Sequence, residues 1–166
     1  MEPERRDVEI TQTPARQSVA IRNVVPMEDL DIGSIFDEDA TRLVTYLEQR
    51  DITPAGSPYA RYWQYGPDQV DIEIGIPVDA DLDDLGDLRP EGVIGVSELP
   101  GGPKARLLHS GSYDGLAAAY QRLEGYLAET GNRPASAPWE TYLVMPDAVG
   151  GDPSMLQTEV IWPVGH

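Results

Sequence analysis

The chain has 166 residues, with 29 acidic against 12 basic side chains and a formal net charge of −17. That length suits one domain of ordinary size, or two small halves sharing a core, and that charge repels phosphate backbones, which argues against direct nucleic-acid binding. Cysteine is absent and the only histidines are His109 and His166, so disulfides and thiolate chemistry are excluded and a zinc site is disfavoured.

The N-terminus, MEPERRDVE, is charged throughout, and no segment reads as a signal peptide or membrane span, so a soluble cytoplasmic protein without a membrane partner is expected. Two short strands follow, VEITQ and SVAIRNV, predicted to join across a turn at Pro14. A helix is predicted from about Ser34 to Arg50, with Phe36, Ala40, Leu43, Val44 and Leu47 on one face. After a loop with Pro54 and Gly56 come the strand YARYWQY, a turn at Gly66-Pro67 and the strand VDIEIGIPV. There Val70, Ile72, Ile74 and Ile76 alternate against Asp71 and Glu73, as in a half-buried strand. The segment from Asp79 to Glu91 is an acidic linker. Its DADLDDLGD stretch lacks the spacing and closing glutamate of a calcium loop. The acid excess otherwise reads as solubility in a salt-adapted or high-GC host, which a single lysine (Lys104) among many arginines suits, or as attraction of cationic ligands.

From Gly92 the same order returns. GVIGVSEL and ARLLHS are strands around the Pro100–Gly102 turn. A helix runs from about Ser112 to Thr130 with Leu116, Tyr120, Leu123 and Leu127 on one stripe, and Gly131 stands where a left-handed cap belongs. WETYLVM, the loop DAVGGDPS and TEVIWPV complete it. Leu43, Tyr46, Leu47, Pro54, Ala55, Pro58 and Tyr62 match Leu123, Tyr126, Leu127, Pro134, Ala135, Pro138 and Tyr142 without a gap. Pro14 matches Pro100, and Pro77-Val78 matches Pro163-Val164. The reading is an α+β protein, one domain over residues 1–166, made of two β-β-α-β-β repeats at about 8–78 and 92–164 around the linker 79–91. A pseudo-two-fold axis would place both helices on one side of a shared antiparallel sheet and leave a groove on the other, where a ligand would bind.

One residue breaks the repeat. Pro58-Tyr59-Ala60-Arg61-Tyr62 matches Pro138-Trp139-Glu140-Thr141-Tyr142, so Glu140 stands where the first repeat has Ala60. Alternation puts Glu140 on one face with Tyr142, and Ala60 with Tyr62. If that face lines the groove, one half supplies a carboxylate and the other leaves room for a ligand. The competing reading is a wet face, or an ion pair with Arg61 or Arg106. Trp63 and Trp139 would then point the other way, into the core under the helices.

The duplicated plan, with HSGSYDGLAAAYQRLEGYL, PWETYL and TEVIWPV in that order, resembles the GyrI-like family, also the effector-binding domain of AraC- and MerR-type regulators. The resemblance spans nearly the whole chain and is clearest from Ala105 to Val164. It implies a central cleft for hydrophobic, aromatic or cationic small molecules, with Glu140 facing the ligand, Tyr62, Tyr142 and Tyr113 around it, and Trp162 as a further candidate. The chain lacks the regulators' helix-turn-helix segment, so a regulatory role needs a protein partner. Other members of the family resemble hydrolases of cyclopropane-containing DNA-alkylating natural products. That alternative makes Glu140 the group that activates water and Tyr142 its partner on the ligand's carbonyl oxygen. A gyrase-inhibitory member suggests a third reading, an acidic protein–protein inhibitor. Drug or toxin binding by a stand-alone domain is the leading expectation, with no metal and no cofactor; a haem-binding family shares a related duplicated fold, but no axial ligand stands out here.

The remaining motifs read as structure. HSGSYD is a helix start with Ser112 as its cap, since no G-x-S-x-G accompanies His109. Glu73 and Glu159 occupy matched positions and read as a solvated face. GGPKAR and VGGDPS lack phosphate-loop spacing, and the loop from Asp147 to Ser154 is expected to flap over the groove.

Overall fold

The strand that opens the chain does not pair with the strand that follows it. In the structure, a computed structural model that describes residues 8–82, 85–144 and 156–165, β1 (Val8–Thr13) lies antiparallel to β6 (Gly102–Ser110), with Val8 opposite Leu107 and Ile10 opposite Ala105. Reciprocally, β5 (Ile94–Leu99) pairs with β2 (Arg16–Pro26), Val19 opposite Val96. The hairpin expected across Pro14 is therefore replaced by an exchange of first strands. Proline has no N–H for a ladder and holds the preceding residue extended, so the chain runs on at Thr13-Pro14 instead of doubling back. The exchange places Val8 in a core with Ala105 and Leu107.

Two compact units result, divided at Pro14–Ala15 and at Pro100–Gly101. Ala15–Pro100 is the central unit; the described residues before and after it form the terminal unit. The central unit holds a four-stranded antiparallel sheet in the order β3-β4-β2-β5, with β3 at Tyr59–Tyr65 and β4 at Gln69–Pro77. Its helix, α1 (Ile32–Gln49), is capped by Asp31, whose Oδ1 accepts the Ser34 N–H at 3.1 Å. Phe36, Leu43, Tyr46 and Leu47 form its buried stripe, while Val44, expected on it, is 42% exposed. Asn23 of β2 donates to Asp39 of α1 at 2.9 Å, which identifies the sheet face under the helix as that of Asn23 and its cross-strand partner Ile72.

The terminal unit repeats the plan with β1-β6-β9-β8, where β8 is Trp139–Val144 and β9 is Gln157–Gly165; the short β7 (Arg133–Pro134) also pairs with β9. Its helix α2 (Leu116–Thr130) follows a 3-10 turn at Tyr113–Gly115. Ala119, Leu123 and Leu127 of α2 close over Val8, Ala105, Leu107, Val160 and Val164. Ser112 caps nothing with its side chain. Instead its carbonyl accepts from the Gly115 N–H at 3.2 Å and from His109 Nε2 at 2.8 Å, so His109 closes the turn. Gly131 sits at φ 74° with its N–H on Leu127 O, as its position predicts. Gly131→Ala is expected to cost about 1 kcal/mol and lower the melting temperature by about 2–4 °C in differential scanning fluorimetry; an unchanged midpoint would refute the cap.

Lys104, the sole lysine, is buried and fastens the end of β1: Nζ donates to Thr13 Oγ1 at 2.6 Å and to the carbonyls of Gly102 and Thr13 at 3.0 and 3.3 Å. Burial holds its pKa below the ordinary lysine value. Among the described residues no helix is long and apolar enough to cross a membrane.

Candidate functional site

Both halves carry a one-residue bulge at the same station. In β3 the register steps between Tyr62 and Gln64, leaving Trp63 as the extra residue; in β8 it steps between Tyr142 and Val144, leaving Leu143. Ahead of these bulges the alternation is regular. Glu140 stands opposite Val160, and Tyr142 opposite Thr158. Val160 is part of the core closed by α2, so Glu140 and Tyr142 lie on the helix-covered face of the terminal sheet, not on the opposite one as the sequence suggested.

Glu140 is only 5% exposed. Its Oε2 accepts from the Tyr120 hydroxyl of α2 at 2.9 Å, and its Oε1 accepts from the Tyr142 hydroxyl at 2.8 Å. No arginine or lysine pairs with it among the described residues. Arg106 is bound instead to Glu159, at 2.6 Å, and Arg61 lies over the Trp63 ring. Burial therefore raises the Glu140 pKa, and the two phenol donors and the nearby His109 only partly pull it back.

Aromatic rings enclose it. Tyr142 meets Tyr113 edge to face with centroids 5.8 Å apart, and Tyr113, at the turn before α2, is 39% exposed. Tyr120 meets Trp162 edge to face at 6.1 Å, and Trp162 Nε1 donates to Ser136 O at 3.1 Å. Four of the sequence-derived candidates, Glu140, Tyr142, Tyr113 and Trp162, thus gather in the terminal unit. Tyr120 joins them; in the sequence it was one more large side chain on a helical stripe, and the tyrosine hydroxyl among leucines was its only signal. Ala60 and Tyr62 lie in the central unit. Ala60 is fully buried opposite Ile74, and Tyr62 stands opposite Ile72 and packs edge to face on Tyr65 at 5.9 Å. Ile72 places both on the face under α1, the face that corresponds to Glu140's.

The opposite face of the central sheet carries a second buried acid, which sequence reading assigned to solvent. Glu73 is fully buried. Its Oε2 accepts from Tyr59 Oη at 2.5 Å and Ser97 Oγ at 2.8 Å, and its Oε1 accepts from Trp63 Nε1 at 2.9 Å. Trp63 is 39% exposed, not core, and lies under two guanidinium groups, Arg61 at 4.1 Å and Arg22 at 4.7 Å from the ring centroid. Arg22 also clamps Asp71 through two bonds of 2.8 and 2.7 Å. Burial lowers the pKa of Arg61 against the pull of Glu73, and burial first, then Glu73, raises that of Tyr59 well above the ordinary phenol value. Gly75 makes the arrangement possible, because a Cβ there would lie 2.4 Å from Tyr59 Oη. With three donors in place, Glu73 reads as a structural carboxylate, whereas Glu140 has two phenol donors and no paired arginine or lysine among the described residues. Trp139 is buried as expected, but on the face away from α2.

Among the described residues no group of three or more metal-ligating side chains occurs. The proposed flap from Asp147 to Ser154 lies outside the described residues.

A family model for the GyrI-like small molecule binding domain matches residues 6–165. No curated protein matches the chain. Among solved structures, the EcmrR C-terminal domain superposes with a TM-score of 0.70 at 21% identity, covering 95% of this chain and 96% of that one. In the EcmrR–DNA complex the same match covers only 56% of the EcmrR chain. SAV2435 bound to tetraphenylphosphonium gives 0.67 at 11% identity, covering 95% and 93%, and a hydrolase from Listeria innocua gives 0.65 at 12%, covering 96% and 92%. At these identities the likeness establishes the fold.

Proposed function

Because the chain belongs to the GyrI-like small molecule binding domain family, we propose that it binds lipophilic aromatic cations at Glu140, in the sequestering or sensing of drugs and toxins. The observation that carries this reading is a carboxylate, 5% exposed, held by two tyrosine hydroxyls and by no cation among the described residues. A bound cation restores the charge balance that burial removes, and the rings of Tyr113, Tyr120, Tyr142 and Trp162 offer stacking and cation–π contacts of about 0.5–2 kcal/mol each. The SAV2435 neighbour, bound to tetraphenylphosphonium, supplies the ligand chemistry to try first. Calorimetric titration with tetraphenylphosphonium should give saturable binding, weakened about 10- to 100-fold in Glu140→Gln. Equal affinity for the two proteins would exclude Glu140 as the cation's partner.

A hydrolytic reading is favoured by the Glu140–Tyr142 contact of 2.8 Å and by the burial that raises the carboxyl pKa, which makes the carboxylate a stronger base. In that reaction Glu140 takes a proton from water. The water oxygen bonds to a cyclopropane carbon, the strained carbon–carbon bond breaks, and its electron pair passes into a conjugated carbonyl, which Tyr142 polarises once its hydroxyl turns from Glu140 to the ligand. The Listeria neighbour described as a hydrolase is consistent with such chemistry on this fold. A cyclopropane-bearing alkylator recovered intact after prolonged incubation would retire this reading and leave the binding one standing.

A further inference from the structure

We propose that Thr158 is a second polar anchor of the Glu140 site, selecting aromatic cations that carry a hydroxyl or carbonyl oxygen; this rests on the reading of Glu140 as the ligand's charge partner. Thr158 is fully buried, and its Oγ1 has no hydrogen-bond partner among the described residues. Interior hydroxyls are rarely left so, because the bonds lost to water are not replaced. It lies on the same face as Glu140: Thr158 stands opposite Tyr142 in β8 and opposite His109 in β6, while Glu140 stands opposite Val160, two residues along β9. Diagonal neighbours of this kind have their side-chain origins about 7–8 Å apart, roughly the reach of one substituted aryl ring. The other polar groups nearby are engaged, Tyr120 and Tyr142 on Glu140, and His109 Nε2 on the Ser112 carbonyl.

The internal duplication sharpens the point. The first repeat has Ala60, Ala40, Ile72 and Asn23 where the second has Glu140, Tyr120, Thr158 and His109. Asn23 is spent on Asp39 of α1. The same patch of helix-covered sheet is thus largely apolar in one repeat and carries an acid, a phenol and a free hydroxyl in the other. A packing role for position 158 is filled by isoleucine in the first repeat, so packing alone does not call for a hydroxyl. A threonine hydroxyl rotates to donate to a carbonyl or to accept from a phenol, so a neutral oxygen substituent at that end of the ligand would satisfy it.

The test is a matched ligand set: tetraphenylphosphonium and its derivatives with one phenyl replaced by 2-, 3- or 4-hydroxyphenyl, titrated against wild type, Thr158→Val, Thr158→Ser and Glu140→Gln. The expected result is that wild type binds the best hydroxylated isomer about 3- to 10-fold tighter than the parent. Thr158→Val should abolish that preference, leave parent affinity within about 2-fold, and raise the melting temperature, since a methyl replaces an unpartnered hydroxyl. Thr158→Ser should retain the preference. Absence of preference in wild type, or its persistence in Thr158→Val, overturns the proposal; so does a Thr158→Val protein with a lower melting temperature and unchanged selectivity, which marks a hydroxyl serving a structural water. Parent binding unaffected by Glu140→Gln is a separate result and overturns the underlying reading of Glu140.

Discussion

Glu73→Ala lowers the melting temperature by about 10 °C, the largest loss expected of any single substitution in the central unit. The side chain is fully buried and is the common acceptor for Tyr59, Ser97 and Trp63. Truncation takes the shared acceptor from three donors, of which the buried Tyr59 keeps only Ser18 Oγ at 2.7 Å, and removes the anion whose field supports Arg61, itself buried against Trp63. Breaking a buried charged network by deleting one member costs about 3–5 kcal/mol, and each kcal/mol moves the midpoint of a chain this long by about 2–4 °C. Glu73→Gln should lose less, since one carboxamide oxygen still accepts while its amino group faces a donor. Thermal unfolding followed by circular dichroism separates the cases, and a wild-type midpoint for Glu73→Ala would mean that the network contributes nothing.

Glu140→Gln moves stability the other way. Glu140 has a folded-state pKa raised above its unfolded value, chiefly by burial. Below the unfolded value both states hold the proton and the acid costs nothing. As pH rises toward and through the folded value, the unfolded chain ionises more readily and the native state loses ground. The amide removes that cost while keeping the shape, so the variant should have a higher thermal midpoint than wild type at pH 7–8. The two midpoints should converge as pH falls below the ordinary glutamate value, to about 3, where the carboxyl is neutral in both states. The same substitution weakens cation binding, so one position is predicted to trade fold stability for ligand affinity. Midpoints that stay parallel across that range would show that the carboxylate's ionisation is not what the fold resists.

Much of this was written in the chain. The apolar alternation of β4, the stripe through Leu43 and Leu47, that through Leu123 and Leu127, and the glycine ending α2 were all legible, because each depends on neighbours in sequence. The replacement of Ala60 by Glu140 was also legible once the halves were aligned. Three things were not. Pairing of β1 with β6 satisfies the same alternation as pairing with β2, so the pattern could not choose between them. The face on which Glu140 lies depends on which side the helix covers, and the residues flanking it are compatible with either. Glu73 alternates with isoleucines and so resembled a residue of a wet face; its burial is made by Tyr59, Ser97 and Trp63 on two other strands, and Trp63 itself sits in a bulge that breaks the period of two.

The reciprocal placement of β1 and β5 bears on how such a molecule could arise. An ancestor encoding a single β-β-α-β-β segment would have been a monomer with its leading strand unpaired and a gap beside its second. Two copies exchanging these strands would mend both defects at once, the arrangement the fused chain retains. The same logic applies at the ribosome. Val8 must wait for Leu107 before its ladder can close, and β2 must wait for β5, the first strand of the second repeat, so neither sheet is complete until synthesis has entered the second repeat.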